Sequence, residues 1–269
     1  MPDIVLHNEM GNRVLERLDK EITNNINVQM MHFGLMAPDI YMSYRFFFPH
    51  FRHGINRRGV IMHEEKCTEF LVELIQNCKD QDSFSLVCGI ICHFSLDSSV
   101  HPLVNQIGKG KPGMHGAIEH ALDMMELRKQ QFTRGDVIKY FTPYCKSPLL
   151  IATMKKIYGW EDSDYYYKVA YNHLKLYYRF CCDRYGVINK VFGRYTGKLS
   201  YLSYASDKCS TINLEPFSYL IIESINLAVD IINAAYSIYK GITDETTLIQ
   251  IISNRTYLGQ ISGMQEQQS

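Results

Sequence analysis

The chain has 269 residues with 28 Lys plus Arg against 28 Asp plus Glu. That length supports one sizeable core, and the zero formal net charge excludes a chain-wide basic field of the kind that recruits nucleic acid. Apolar residues recur at helical spacing almost throughout and period-two strands are missing, so the expected fold is all-α, a single compact multi-helical domain over residues 1–261 with a frayed tail at 262–269. Val14, Leu15, Leu18, Ile22 and Ile26 predict a first helix, and Val60, Ile61, Phe70, Leu71, Leu74 and Ile75 a second, over 59–78. Ser85 to Cys92 is apolar nearly all round and reads as a helix buried at the centre. Asp82 and Ser83 are expected to cap it, and Pro102 to end it, because the residue before a proline avoids the α region. A Gly-Lys-Gly-Lys-Pro-Gly loop, 108–113, leads into the next helix; further helices are expected near 133–142, 147–158, 163–185, 215–240 and 244–254. The Met-Pro-Asp-Ile-Val-Leu-His start has no basic n-region. No signal peptide and no spanning run of about 18 apolar residues are expected, which predicts a cytoplasmic protein. Eight cysteines, with Cys88 and Cys92 on one helix and Cys181 beside Cys182, suit buried thiols in a reducing compartment.

Two stretches carry the chemistry. His93-Phe-Ser-Leu-Asp97-Ser-Ser-Val-His101 and His115-Gly-Ala-Ile-Glu119 set three histidines and two carboxylates at intervals of four, on one helical face. A lone His-x-x-x-Asp is an ordinary helical ion pair. On a buried helix, however, an unpaired carboxylate costs several kcal/mol, so a charge partner or a metal cation is expected between these groups, and a cation is the simpler answer. The same half of the chain adds His7, Asp39 and His63. Neutral imidazole and carboxylate are groups that zinc accepts at about 2.0–2.2 Å, and eight of them exceed what one ion uses; two to three ions are implied.

In order, Pro2 to His7, Gly34-Leu-Met-Ala-Pro-Asp39, Gly59-Val-Ile-Met-His63, His93-x-x-x-Asp97-x-x-x-His101-Pro and His115-x-x-x-Glu119 resemble the zinc-dependent phospholipase C and P1/S1-type nuclease superfamily, in particular its unexported bacillary and clostridial branch. The likeness covers roughly residues 1–130. It implies the all-α fold of that superfamily, with Asp39, His63, His93 and Asp97 on one zinc and His101, His115 and Glu119 on a second. Asp97 then bridges to a third ion, shared with His7 and the amino nitrogen and carbonyl of the mature first residue. Pro2 follows a removable initiator Met1 and lies five positions before His7, which makes it that residue. The implied activity is phosphodiester hydrolysis by metal-activated water, with Asp39 either a plain ligand or also the group that takes the proton.

The substrate is expected to be a phospholipid or another phosphodiester, with transient membrane-surface contact and no stable nucleic-acid partner. Tyr41, Tyr44, Phe46, Phe47 and Phe48 follow Asp39 directly, either as core packing or as a substrate wall; Tyr41, Tyr44 and Phe46 are the candidate wall residues. Lys109 and Lys111 meet a phosphate or simply solvate their loop. Asp123, one turn after Glu119, is a candidate outer partner of a metal histidine, whereas His32, His50, His53, His120 and His173 match no motif. Ile40 stands where choline-selective relatives offer an aromatic, so the headgroup is left open. Two rivals remain. One is a P1/S1-like nuclease or nucleotidase with the same metals, against which the neutral composition counts. The other is a catalytically silent, metal-stabilised binding module, against which the size of the ligand set counts, since a closed structural site needs four.

Overall fold

The computed structural model describes residues 4–48, 53–187, 190 and 212–261. Among them the fold is all-α: α1 Ile4–Leu15, α2 Lys20–Thr23, α3 Val28–Met36, a 3-10 turn Ala37–Ser43, α4 Arg57–Glu64, α5 Cys67–Gln76, α6 Gln81–Gly108 and α7 Met114–Lys129. A second 3-10 turn, Arg134–Tyr140, is followed by α8 Pro148–Tyr158, α9 Ser163–Cys181, α10 Glu215–Tyr239 and α11 Thr246–Ile252. The one β feature among the described residues is an isolated bridge between Arg255 and Ile261. Pro2 and the expected tail after 261 lie outside the described residues.

Helix α6 is the axis of the molecule, buried along most of its length and packed between α3 and α10. It passes α3 at backbone contact. A Cβ on Gly89 would lie 2.0 Å from the Met31 carbonyl oxygen, and one on Gly34 would lie 2.2 Å from that of Leu86. Only glycine at both positions permits this approach, and it brings the α3 carbonyls within reach of α6 side chains.

Five sequence expectations change in the structure. The cap of α6 is Asp80, whose carboxylate accepts the Ser83 N–H in a capping box, rather than Asp82 with Ser83. Pro102 does not end the helix. It sits inside α6, where its missing N–H leaves the Ser98 carbonyl without a helical donor, a local cost of about 3 kcal/mol that packing on all sides of the buried helix outweighs. The predicted helix over 59–78 is two helices, broken where Lys66 adopts φ 53°, and the pattern from Val14 to Ile26 spans the end of α1 and the separate α2. Apolar spacing in these stretches reports a common buried face, not an unbroken backbone. Finally, α6 and α10 are both long and apolar enough to cross a membrane by composition, contrary to the expectation of no such stretch; 89% of the α6 window is buried within the protein.

Tyrosines tie the C-terminal helices to the segment carrying Asp39. The Tyr167 hydroxyl donates to the Ala37 carbonyl at 2.9 Å, and the Tyr41 hydroxyl to that of Ser163 at 3.3 Å. Overpacking a tight crossing costs typically about 1–3 kcal/mol, so Gly89→Ala is expected to lower stability by at least that amount, read from the midpoint of urea denaturation. An unchanged midpoint would show that α3 and α6 do not depend on backbone contact.

Candidate metal centre

The eight described candidate ligands come from five elements. His7 is on the second turn of α1, whose first N–H groups would otherwise be unsatisfied; the buried Asp123 carboxylate accepts the Val5 and Leu6 N–H groups at 3.2 and 2.8 Å. Asp123, which the sequence suggested as an outer partner of a metal histidine, thus anchors the helix that presents His7. Asp39 comes from the 3-10 turn, His63 from the last turn of α4, His93, Asp97 and His101 from α6, and His115 and Glu119 from α7.

Asp97 is the hub. Its Oδ1 lies 3.3 Å from His7 Nε2, and its Oδ2 lies 3.2 Å from His93 Nε2, 3.6 Å from His63 Nε2 and 3.6 Å from His101 Nδ1. Asp39 reaches His63 Nε2 at 3.2 Å and His93 Nε2 at 3.3 Å. Glu119 reaches His115 Nε2 at 2.8 Å and His101 Nε2 at 3.5 Å. Three groups of ligand atoms result, each mutually within 4.8 Å: His7–His93–Asp97, Asp39–His63–His93 and His101–His115–Glu119. The structure thus brings together all eight described candidates, with His93 shared between two groups.

The atoms that meet here do not satisfy one another. Asp39 Oδ2, His63 Nε2 and His93 Nε2 are buried with no hydrogen-bond partner, although imidazole nitrogen and carboxylate oxygen lie close. Meanwhile the opposite ring nitrogens are held: His93 Nδ1–H donates to the Leu35 carbonyl at 2.6 Å, His63 Nδ1–H to Gly59 at 2.7 Å, His101 Nδ1–H to Tyr257 at 3.1 Å and His115 Nδ1–H to the Asn105 side chain at 3.1 Å. In the neutral ring such bonds select the tautomer with a bare Nε2, the arrangement of imidazoles that bind metals. The parallel stack of His7 on His93, with centroids 4.0 Å apart, also disfavours two imidazolium charges. Bare nitrogens, buried carboxylates and oriented rings together fit a divalent cation in each group.

Seven of the eight line one open cleft, with His93 behind them. Its walls are apolar, made by Leu6, Met42, Val60, Leu96, Val100, Val104, Leu122 and Leu258, with Glu64 beside His63. The sequence reading missed these wall residues, since apolar residues at helical spacing carry no mark separating a cleft from a core. It placed the wall instead at Tyr41, Tyr44 and Phe46, and here the structure differs. Tyr41 and Tyr44 are buried, packed edge-on against Trp160 and Tyr167 and against Tyr166 and His173, while Phe46 packs on Tyr177 and Phe47. Tyr41, Tyr44 and Phe46 turn away from the cleft to join the aromatic layer that α9 and Trp160 supply, while Met42 between them faces the cleft. Lys109 and Lys111 line a neighbouring hollow that shares His115 with the cleft.

A family profile described as zinc dependent phospholipase C matches residues 6–163. The chain belongs to the zinc-dependent phospholipase C family. Compared with the curated proteins and with the solved structures, it has no significant match. The matched span includes every described candidate ligand, and it ends before α10 and the C-terminal segment that supplies Tyr257 and Leu258.

The electrostatics of this family member predict a pH dependence. Burial opposes protonation of His93 and His101, yet Asp39 and Asp97 beside His93, and Asp97 and Glu119 beside His101, outweigh it and raise both to about 9. Burial likewise works against the charge of Asp97, but the His101 and His93 imidazoliums hold it well below the usual carboxylate range. In the metal-free protein, His93 and His101 are therefore protonated at pH 7. Their contribution to stability is complete below about pH 6.5 and lost as pH rises through about 9. Zinc must displace these protons, so its affinity is expected to rise with pH toward 9 and its binding at pH 7 to release protons. Calorimetric titration in buffers of different ionisation enthalpy measures that release; a heat independent of buffer contradicts it.

Proposed function

We propose that the protein is a zinc-dependent hydrolase that cleaves phosphodiester bonds of phospholipid-like substrates. The observation that carries the reading is the run of three His/carboxylate groups along an apolar-walled cleft. Two to three zinc ions held there supply an activated water and Lewis-acid stabilisation of phosphoryl oxygens. The four carboxylates of the cleft, Asp39, Glu64, Asp97 and Glu119, balance two divalent ions but not three, and the positive remainder of a three-ion site suits an anionic phosphodiester. The aliphatic walls exclude bulk water and accept the glyceryl and acyl portion of a lipid. Among the described residues neither lysine nor arginine lines the cleft, which weighs against a polynucleotide, whose phosphates call for a basic track.

Asp97 touches histidines of all three groups, and its role in this reading is to hold adjacent ions in register. Asp39 lines the cleft with one carboxylate oxygen that accepts no hydrogen bond, and it both contributes to the metal site and takes the proton of the attacking water. Asp97→Ala is expected to lose zinc and to lower turnover by more than about 100-fold, beyond what removal of an outer partner costs. Asp39→Asn is expected to keep most of its zinc while turnover falls. Metal analysis of each variant beside hydrolysis of an aryl phosphodiester reads both effects, and near-wild-type turnover in either variant contradicts its assigned role. Side-by-side assays on short-chain phospholipid micelles and single-stranded DNA test the substrate class. DNA cleavage without lipid hydrolysis would establish the nuclease instead.

Transient membrane contact belongs to the same proposal. Phe47 and Phe48 are exposed, Phe47 packs on Phe180 of α9, and Leu176 lies exposed one turn earlier. Residues 165–181 include Lys168, Lys175 and Arg179 and no acid, a composition suited to an anionic lipid surface. Paired Phe47→Ser and Phe48→Ser changes are expected to weaken cosedimentation with phosphatidylserine vesicles and to leave hydrolysis of a soluble substrate intact.

A further inference from the structure

The segment after α11 lies beyond the residues that match the family, yet it touches three of the candidate ligands through one residue. Tyr257 is fully buried. Its carbonyl accepts the His101 Nδ1–H at 3.1 Å, and its N–H donates to the His63 carbonyl at 3.0 Å. Its ring lies 4.6 Å from that of His63 and 5.7 Å from that of His93, and packs edge-on against Phe94 at 5.0 Å. The next residue, Leu258, lines the cleft.

The backbone around Tyr257 is closed on itself. The Thr256 N–H donates to the Gln260 carbonyl at 2.8 Å, the Gly259 N–H to the Thr256 carbonyl at 3.0 Å, and Thr256 Oγ1 accepts the Leu258 and Gln260 N–H groups at 3.2 and 3.3 Å. Gly259, at φ +71°, sits against α6 where Pro102 leaves the Ser98 carbonyl without a helical donor: a Cβ there would be 2.5 Å from that oxygen and 2.6 Å from Pro102 Cγ. The break between α4 and α5 ends α4 within a residue of His63 and leaves its carbonyl to Tyr257. The two local irregularities, the interior proline and the helix break, are thus the two places where this strap docks.

We propose that the strap from Asn254 to Ile261 is a positioning element of the metal centre, its Tyr257 main chain orienting His101 and anchoring His63 for zinc. The inference rests on zinc binding at this centre. It assigns no role to the Tyr257 hydroxyl, which is buried without a hydrogen-bond partner; a group in that state costs stability rather than adding to it.

The test compares full-length wild-type protein with Gly259→Ala, Thr256→Val and Tyr257→Phe, measuring zinc affinity by chelator competition and the melting temperature of each metal-free form. Gly259→Ala displaces the strap from α6 and Thr256→Val removes its internal acceptor, and both are expected to weaken zinc binding by about 10–100-fold, the range seen when an outer partner of a metal histidine is lost. Tyr257→Phe keeps ring and main chain and is expected to bind zinc as wild type does. A purely structural strap would instead lower the metal-free melting temperature and leave zinc affinity unchanged, which overturns the proposal. Tyr257→Phe losing as much zinc affinity as Gly259→Ala overturns it too, since the hydroxyl would then be the acting group. Should Gly259→Ala not fold, Thr256→Val decides alone. Wild-type protein that takes up no zinc refutes the metal centre and the strap together, whereas zinc-loaded wild type beside unimpaired variants refutes only the strap.

Discussion

The buried Asp97 carboxylate, at the middle of the central helix and within 3.6 Å of four histidines, is the constraint around which the rest of the structure is arranged. A charge in the core is tolerated only when opposite charge and oriented dipoles surround it. Helices α1, α4 and α6 each send an imidazole to it, and α7 sends a second carboxylate and histidine to the adjoining group. What is costly for folding becomes useful for chemistry, because the same convergence leaves ligand atoms bare and facing one another.

Main-chain carbonyls do much of the orienting. Leu35 holds His93, Gly59 holds His63 and Tyr257 holds His101, each accepting from Nδ1. The Leu35 contact depends on the glycine crossing of α3 with α6, since any Cβ at Gly34 or Gly89 would drive Leu35 away from His93. Packing of the core and geometry of the site are therefore one problem. Rigid helices carry the ligands, and their spacing is set by the smallest residues on their contact faces.

Much of the candidate site was legible from spacing alone. Four-residue intervals place His93, Asp97 and His101 on one helical face whatever surrounds them, and His115 with Glu119 on another. The wall of the cleft was not legible. Tyr41 and Tyr44 look like a surface run beside Asp39, but their neighbours are Trp160, Tyr166 and Tyr167, more than 100 positions away in the chain, and no local pattern signals such a partner. Pro102 misled for a related reason: the rule that proline ends a helix is a local free-energy preference, and burial of α6 on all sides exceeds it.

Sequence by itself determined the helical class and the candidate ligands with their order, because helical periodicity and side-chain chemistry are properties of neighbouring residues. Tertiary structure alone decided which ligands share a group, which nitrogen of each ring faces inward, and that residues 254–261 return to the centre to hold His63 and His101. Those outcomes depend on contacts such as that of His101 with Tyr257, 156 positions apart, and that of His63 with Tyr257, farther still, and the energy of such contacts is a sum over packing partners that no stretch of sequence contains.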